Sequence, residues 1–213
     1  MSVQTYARVA GICFLLTLIA GGFGEAYVPS AIIVARNAAA TTNNVLAHEA
    51  LFRVGFAAYL IEALCDVALA LLMYALLKPV QKDLSLLAAF FGLVGTAIYA
   101  VGEVVFFSLL VPNESHALAQ ITFGYTGNIS MLFYGAASFL RGYLIYRSTY
   151  LPRFLGVLLI IAAVGFIAKT FLFVLAPRYA SDFLLMPMFI ALLALIGWFL
   201  VKGVDVAKWE ATV

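Results

Sequence analysis

Six apolar runs, each long enough to cross a lipid bilayer, follow one another along this chain of 213 residues. A membrane-spanning helix needs about 20 mainly apolar residues. The runs extend approximately from Tyr6 to Val28, Leu51 to Leu77, Leu84 to Val111, Ile121 to Tyr146, Leu155 to Ala176 and Phe183 to Val201. Breaking residues separate them: Pro29, Pro79, Pro112-Asn113, Pro152 and Pro177. The runs are too long for barrel strands and lack strict alternation. Composition points the same way, with 66% hydrophobic and 10% charged residues, where soluble proteins carry about 25% charge. The mean hydropathy is +1.11. A surface with so little charge faces lipid. The expected architecture is an all-α, polytopic membrane helix bundle of six transmembrane helices, forming a single domain over residues 1–213. The first run has no small-x-small cleavage site ahead of a soluble domain, so it reads as a span and not as a cleaved signal.

Positive charge near the span ends sets orientation. Six spans place Arg8, Lys78, Lys82, Arg147, Arg153, Lys202 and Lys208 on one side and only Arg36 and Arg178 on the other. This bias predicts both termini on the cytoplasmic side. Trp198 and Trp209 fall near the inner end of the last run, as interfacial anchors do. The lipid bilayer is the expected partner. A net charge of +2 provides no basic field for nucleic acid. Length alone allows a monomer or a symmetric dimer.

Several chemistries lack their signatures. Cys13 and Cys65 lie in apolar runs and read as small core residues. There is no HExxH motif and no glycine-rich phosphate loop. The two histidines sit near outer span ends, which disfavours a membrane-embedded bis-histidine haem. His48, Glu49, Glu114 and His116 can be drawn together at the outer surface as metal ligands, but their spacing does not require it. No cofactor is expected. Between the first two spans, Thr41, Thr42, Asn43 and Asn44 form a polar cluster suited to capping. It predicts that the second helix starts near Asn44 and runs to Leu77, about 50 Å at 1.5 Å per residue.

The informative residues are ionisable ones inside the runs: Glu25, Glu62, Asp66, Glu103, Arg141 and Lys169. Each costs at least about 2.5–3.5 kcal/mol at the bilayer centre on insertion scales, so each is expected to face a bundle interior. Glu62 and Asp66 stand four residues apart on one face, and that stripe continues back through Tyr59, Gly55, Phe52 and His48. Two carboxylates so close in a low dielectric repel, which calls for a shared proton or a cation between them. Glu25, Glu62, Glu103 and Lys169 converge by depth in the outer half, and Lys169 is expected to pair with Glu103 or Glu62. Glu49 and Arg53 form an i, i+4 pair at the outer interface. Arg141 shares a face with Ser138, Tyr134 and Ser130 and either snorkels inward or lines an inner vestibule. The candidate ligand or ion site is therefore Glu62, Asp66, Glu103, Lys169, Tyr59, Glu25, His48 and Arg141. The competing reading is a buried polar network that only locks the helices together.

Longer motifs carry a family likeness. They are Leu51-Phe52-Arg53, Tyr74-Ala75-Leu76-Leu77-Lys78-Pro79-Val80, Gly142-Tyr143-Leu144-Ile145 with Arg147-Ser148, Tyr150-Leu151-Pro152-Arg153-Phe154-Leu155-Gly156-Val157-Leu158, and Leu200-Val201-Lys202-Gly203-Val204. Together they resemble a bacterial family of six-span integral membrane proteins classed only as a domain of unknown function (forty-three eighty-six). The resemblance covers nearly the whole chain. It implies a six-helix, multi-pass domain of a bacterial inner (cytoplasmic) membrane and no assigned activity. Three functions stay open: a non-catalytic module that binds a lipid, a small apolar ligand or a partner protein; a small proton- or cation-coupled transporter with a polar interior; and an intramembrane enzyme, ranked last because no nucleophile, base and orienter stand together.

Overall fold

The computed structural model describes residues 2–35, 37–111 and 116–212, with the side chain of residue 116 excepted. Nearly all of it is helical. The elements are α1 (Val3–Gly21), a π-helical segment (Gly22–Tyr27), α2 (Val28–Ile32), α3 (Ala38–Ala47), α4 (Glu49–Leu77), α5 (Lys82–Phe107), α6 (His116–Arg147), α7 (Arg153–Leu175), α8 (Met186–Val201) and α9 (Val206–Glu210). Five helical stretches are long and apolar enough to cross a membrane: Val3–Ile32, Glu49–Leu77, Lys82–Leu110, Arg153–Leu175 and Asp182–Val201.

The sixth long helix, α6, packs along α5 on one side and α7 on the other. Its composition follows from that position. Gly124, Gly127, Asn128, Ser130, Gly135, Ser138, Arg141 and Gly142 lower its apolarity, yet small residues let backbones approach closely. Gly135 faces the Ala163 carbonyl and Ile167 of α7, Gly95 of α5 faces the Tyr134 ring, and the Thr170 hydroxyl donates to the Asn128 carbonyl at 2.9 Å. Gly142 and Gly156 stand back to back where α6 meets α7.

Each long helix packs on its neighbour in sequence, and α8 returns to α1. The six form a closed ring. The α1–α8 seam is tied at its end by Gln4, whose Nε2 donates to the Lys202 carbonyl at 3.0 Å and whose Oε1 accepts from the Val204 amide at 3.0 Å. Arg8 donates to the Val201 carbonyl at 3.2 Å. Gly203 turns the chain there with φ +72°, the left-handed conformation that suits glycine after a helix.

The same end gathers the other basic connections. The Tyr150 hydroxyl and the Trp209 indole both donate to the Leu76 carbonyl, at 2.8 and 3.2 Å, and the Asp205 amide donates to the Tyr150 carbonyl at 3.2 Å. Burial pushes the Tyr150 phenol up from its ordinary range, while Lys208 holds the exposed Asp205 carboxyl down. The largest apolar core lies beside this end, around Leu76, Leu144, Leu155, Leu195 and Phe199. A second core of Val28, Ile32, Val45, Phe52, Phe106 and Leu109 closes the opposite end.

Several boundaries differ from expectation. The first span does not stop at Pro29 but continues to Ile32. The π segment precedes Pro29, which then sits in the first turn of α2, where a missing N–H is tolerated. The second helix does not begin near Asn44. Residues 38–47 form their own helix, and the chain bends at His48, whose φ −119° and ψ 37° lie outside the helical range. The polar cluster is used differently from a cap. Asn37 caps α3, Thr41 bonds both the amide and the carbonyl of Val34, and Asn44 donates to the Ile32 carbonyl at 3.1 Å. These bonds fold α3 over the end of α2, leaving α4 about 44 Å long at 1.5 Å per residue. The fourth run, expected from Ile121, is helical from His116, because residues 116–120 extend α6; residues 112–115 and Arg36 lie outside the described residues.

Candidate functional site

The interior polar residues fall into two layers. The lower layer, nearer the basic end, centres on Asp66 of α4. The Tyr134 hydroxyl lies 3.0 Å from Asp66 Oδ2 and 3.1 Å from Thr96 Oγ1, and Thr96 itself donates to the Gly92 carbonyl at 3.1 Å. Thr17 of α1 lies beside the Asp66 carboxyl, and the Arg141 guanidinium supplies the opposite charge. Arg141 reaches this position because Gly92 has no side chain: a Cβ there would stand 2.9 Å from Nη2. Asp66 thus has a hydroxyl donor and a cation, the two compensations a buried carboxylate needs.

The upper layer, one turn further along α4, is different. Glu62 lies against Gly21, where a Cβ would stand 2.7 Å from both carboxyl oxygens. Glu25, on the π-helical segment that follows α1, lies beside the Glu62 carboxyl of α4. The π-helical turn aims Glu25 inward; it adds a residue to the turn, a distortion often found at functional positions. Glu103 of α5 is 5% exposed and sits beside Tyr99. Tyr59 is 3% exposed, its ring 5.8 Å from that of Tyr99, and its hydroxyl is in the field of Glu103, Glu25 and Glu62. Among the described residues, Glu62 Oε2, Glu103 Oε1 and the Tyr59 hydroxyl in this layer, and the Thr17 hydroxyl in the lower one, are buried with no hydrogen-bond partner. A cavity of about 10 Å³, close to the size of one water site, lies beside Glu103 between Gly24, Gly55, Phe52 and Phe106.

Glu25, Glu62, Asp66, Glu103 and Tyr59 therefore lie together, with Arg141 joined to them through Asp66. Two other predicted members stand apart. Lys169 is buried at 7% exposure but turns to Asp182 at 2.5 Å, not to Glu103 or Glu62. Asp182 lies in the short connection that folds back over α7, placing an acid within reach of a lysine that α7 would otherwise bury alone. A single acid between the fifth and sixth runs was the available signal. His48 is exposed at the bend before α4, fourteen positions from Glu62, or about 21 Å along a helix. The interfacial Arg53–Glu49 pair forms at 2.7 Å. Thr17 and Gly21 complete the site without having been singled out by charge. Among the described residues no group of three or more His, Cys, Asp or Glu side chains is placed to hold a metal ion; Glu114 and the His116 side chain lie outside them. Cys13 and Cys65 are free thiols that meet across the α1–α4 seam.

The chain is similar to an uncharacterized protein of the archaeon Archaeoglobus fulgidus, 34% identical over 102 residues, which is 48% of this chain and 56% of that relative. The chain thus spans little more than half the length of this curated relative. No solved structure matches it. Over residues 9–203 it matches the model of the family described as Domain of unknown function (DUF4386), and the chain belongs to that family.

Proposed function

We propose that this protein is a six-span inner-membrane protein with both termini on the cytoplasmic side, and that Glu25, Glu62 and Glu103 form a proton-binding site used in permeation. The observation that carries the site reading is the contrast between the two layers. A network that serves packing alone bonds its members to one another, as the Tyr134 hydroxyl joins Asp66 and Thr96 in the lower layer. The upper carboxyls bring three potential charges and buried oxygens without partners, while Lys169 is engaged with Asp182 and the charge of Arg141 acts on Asp66 in the layer below. Two carboxyls this close in a low dielectric repel when both are charged, so we read the Glu25–Glu62 approach as the place where a proton is taken up. Glu103 and the Tyr59 hydroxyl stand beside it as further proton sites.

Proton flux into proteoliposomes under an imposed pH gradient tests this. Wild type is expected to conduct, and Glu62→Gln and Glu25→Gln to lower the rate at least tenfold with unchanged melting temperatures. The amide keeps size and hydrogen bonding but cannot carry the proton. Equal flux in wild type and both variants would assign these carboxyls to packing.

The sixth span is supported by the position of α6 between two helices that are each long enough to cross. The basic end supports the orientation, because it collects the N-terminus, both short turns and residues 202–209. Cysteine labelling checks both points in a background with Cys13 and Cys65 replaced by serine. Asn43→Cys should react with an impermeant maleimide from outside, and Lys208→Cys only after permeabilisation. Labelling of both from the same side would leave α6 outside the membrane.

A further inference from the structure

A second feature lies at the opposite end of the bundle and on its outside. Gly142 of α6 and Gly156 of α7 touch through their backbones. Next to this close approach the lipid-facing side chains of the two helices splay. They leave an open groove of about 490 Å³ lined by Tyr143, Tyr146, Arg147, Val157, Ile160 and Ile161. The groove belongs to the last turns of α6 and the first turns of α7. Its lining runs from Tyr143 to Arg147 on α6 and from Val157 to Ile161 on α7, four positions or about 6 Å along each helix, on the side of the basic end.

Its two ends differ chemically. Val157, Ile160 and Ile161 make the deep part purely apolar. Arg147 lines the mouth, and Arg153 stands next to it with its guanidinium 5.7 Å from the centre of the Tyr146 ring; both arginines are exposed. Neither arginine has a carboxylate within ion-pair distance among the described residues. Tyr143 and Tyr146 complete a rim of the amphipathic kind that sits at headgroup depth.

We propose that this groove is a binding site for one anionic phospholipid, with the phosphate held by Arg147 and Arg153 and one acyl chain lying along Val157, Ile160 and Ile161. Basic pockets between helices at the inner leaflet select anionic headgroups in this way. Charge complementarity favours a lipid over an apolar partner helix, since a helix face packed on the groove would leave two arginines at headgroup depth without counter-charge. Guanidinium groups suit the role because their fork matches phosphate oxygens. This site is independent of the carboxyl layer: it uses other helix faces at the other end of the ring.

Native mass spectrometry of the full-length protein in detergent, titrated with phosphatidylglycerol and with phosphatidylcholine of the same acyl chains, tests the proposal. Wild type should bind the first phosphatidylglycerol at least fivefold tighter than phosphatidylcholine. The variant with Arg147→Gln and Arg153→Gln should bring that ratio within twofold. Val157→Trp fills the groove and should lower occupancy by both lipids. Equal binding of the two lipids by wild type, which needs no variant, overturns the proposal. So does an unchanged preference in the double arginine variant. A dimer in wild type that Val157→Trp dissolves would also overturn it, by giving the groove to a second copy of this chain.

Discussion

Gly156→Ala is expected to lower the stability of the bundle by about 3 kcal/mol, the upper end of the range for overpacking. The reason is what the added methyl would meet. A Cβ at this position stands 2.5 Å from the Gly142 carbonyl oxygen and 2.7 Å from the Tyr146 amide nitrogen. Both are backbone atoms of the facing helix, so no rotamer change relieves the clash, and α6 and α7 must separate. Separation would also release the neighbouring contact of Gly135 with the Ala163 carbonyl. Gly197 is the matched control, a helical glycine whose added methyl would have nothing within 4 Å. Gly197→Ala should be neutral or stabilising by up to about 1 kcal/mol, the ordinary gain of replacing a helical glycine. Thermal unfolding of both variants in the same detergent decides the matter. Similar melting temperatures would sink the idea that backbone proximity at Gly156 holds the two helices.

The second large effect concerns the lower polar layer. Asp66→Leu and Arg141→Leu are each expected to destabilise by about 3 kcal/mol, because removing one partner leaves the other charge inside the bundle without compensation. The variant carrying both changes should lose clearly less than the sum, since an apolar pair of similar volume leaves no charge behind. The coupling from the double-mutant cycle should exceed about 1 kcal/mol. Simple additivity would mean that Asp66 and Arg141 act independently, and that Tyr134 and Thr96 alone compensate Asp66.

Five helices long and apolar enough to cross a membrane were legible, because a bilayer imposes a length and a composition that few other environments demand. The limits from Leu51 to Leu77 and from Leu155 to Ala176 end within two residues of α4 and α7 at every point where the chain simply leaves the apolar phase. Boundaries set by specific contacts were not legible. Pro29 reads as a breaker, and only the π turn before it makes it acceptable inside a continuing helix. Asn44 reads as a cap, and only the position of Ile32 makes it a tie between two segments. The site follows the same division. Glu25, Glu62, Asp66 and Glu103 were found by their cost in lipid. Which of them is paired depends on Gly92 making room for Arg141 and on Asp182 capturing Lys169, and neither spacing nor hydropathy encodes those distances.

The ring closure carries a kinetic consequence. The bonds that seal α1 to α8 join residues 193 and 198 positions apart, from Arg8 to Val201 and from Gln4 to Lys202. Contacts of such sequence separation carry the largest loop-closure entropy and form late. The three carboxyls of the upper layer come from α1 with its π turn, α4 and α5, the first three long helices to emerge. Their pocket can therefore assemble while the barrel of helices is still open on the α8 side, and the exposed flank of α1 waits in lipid until the last helix docks.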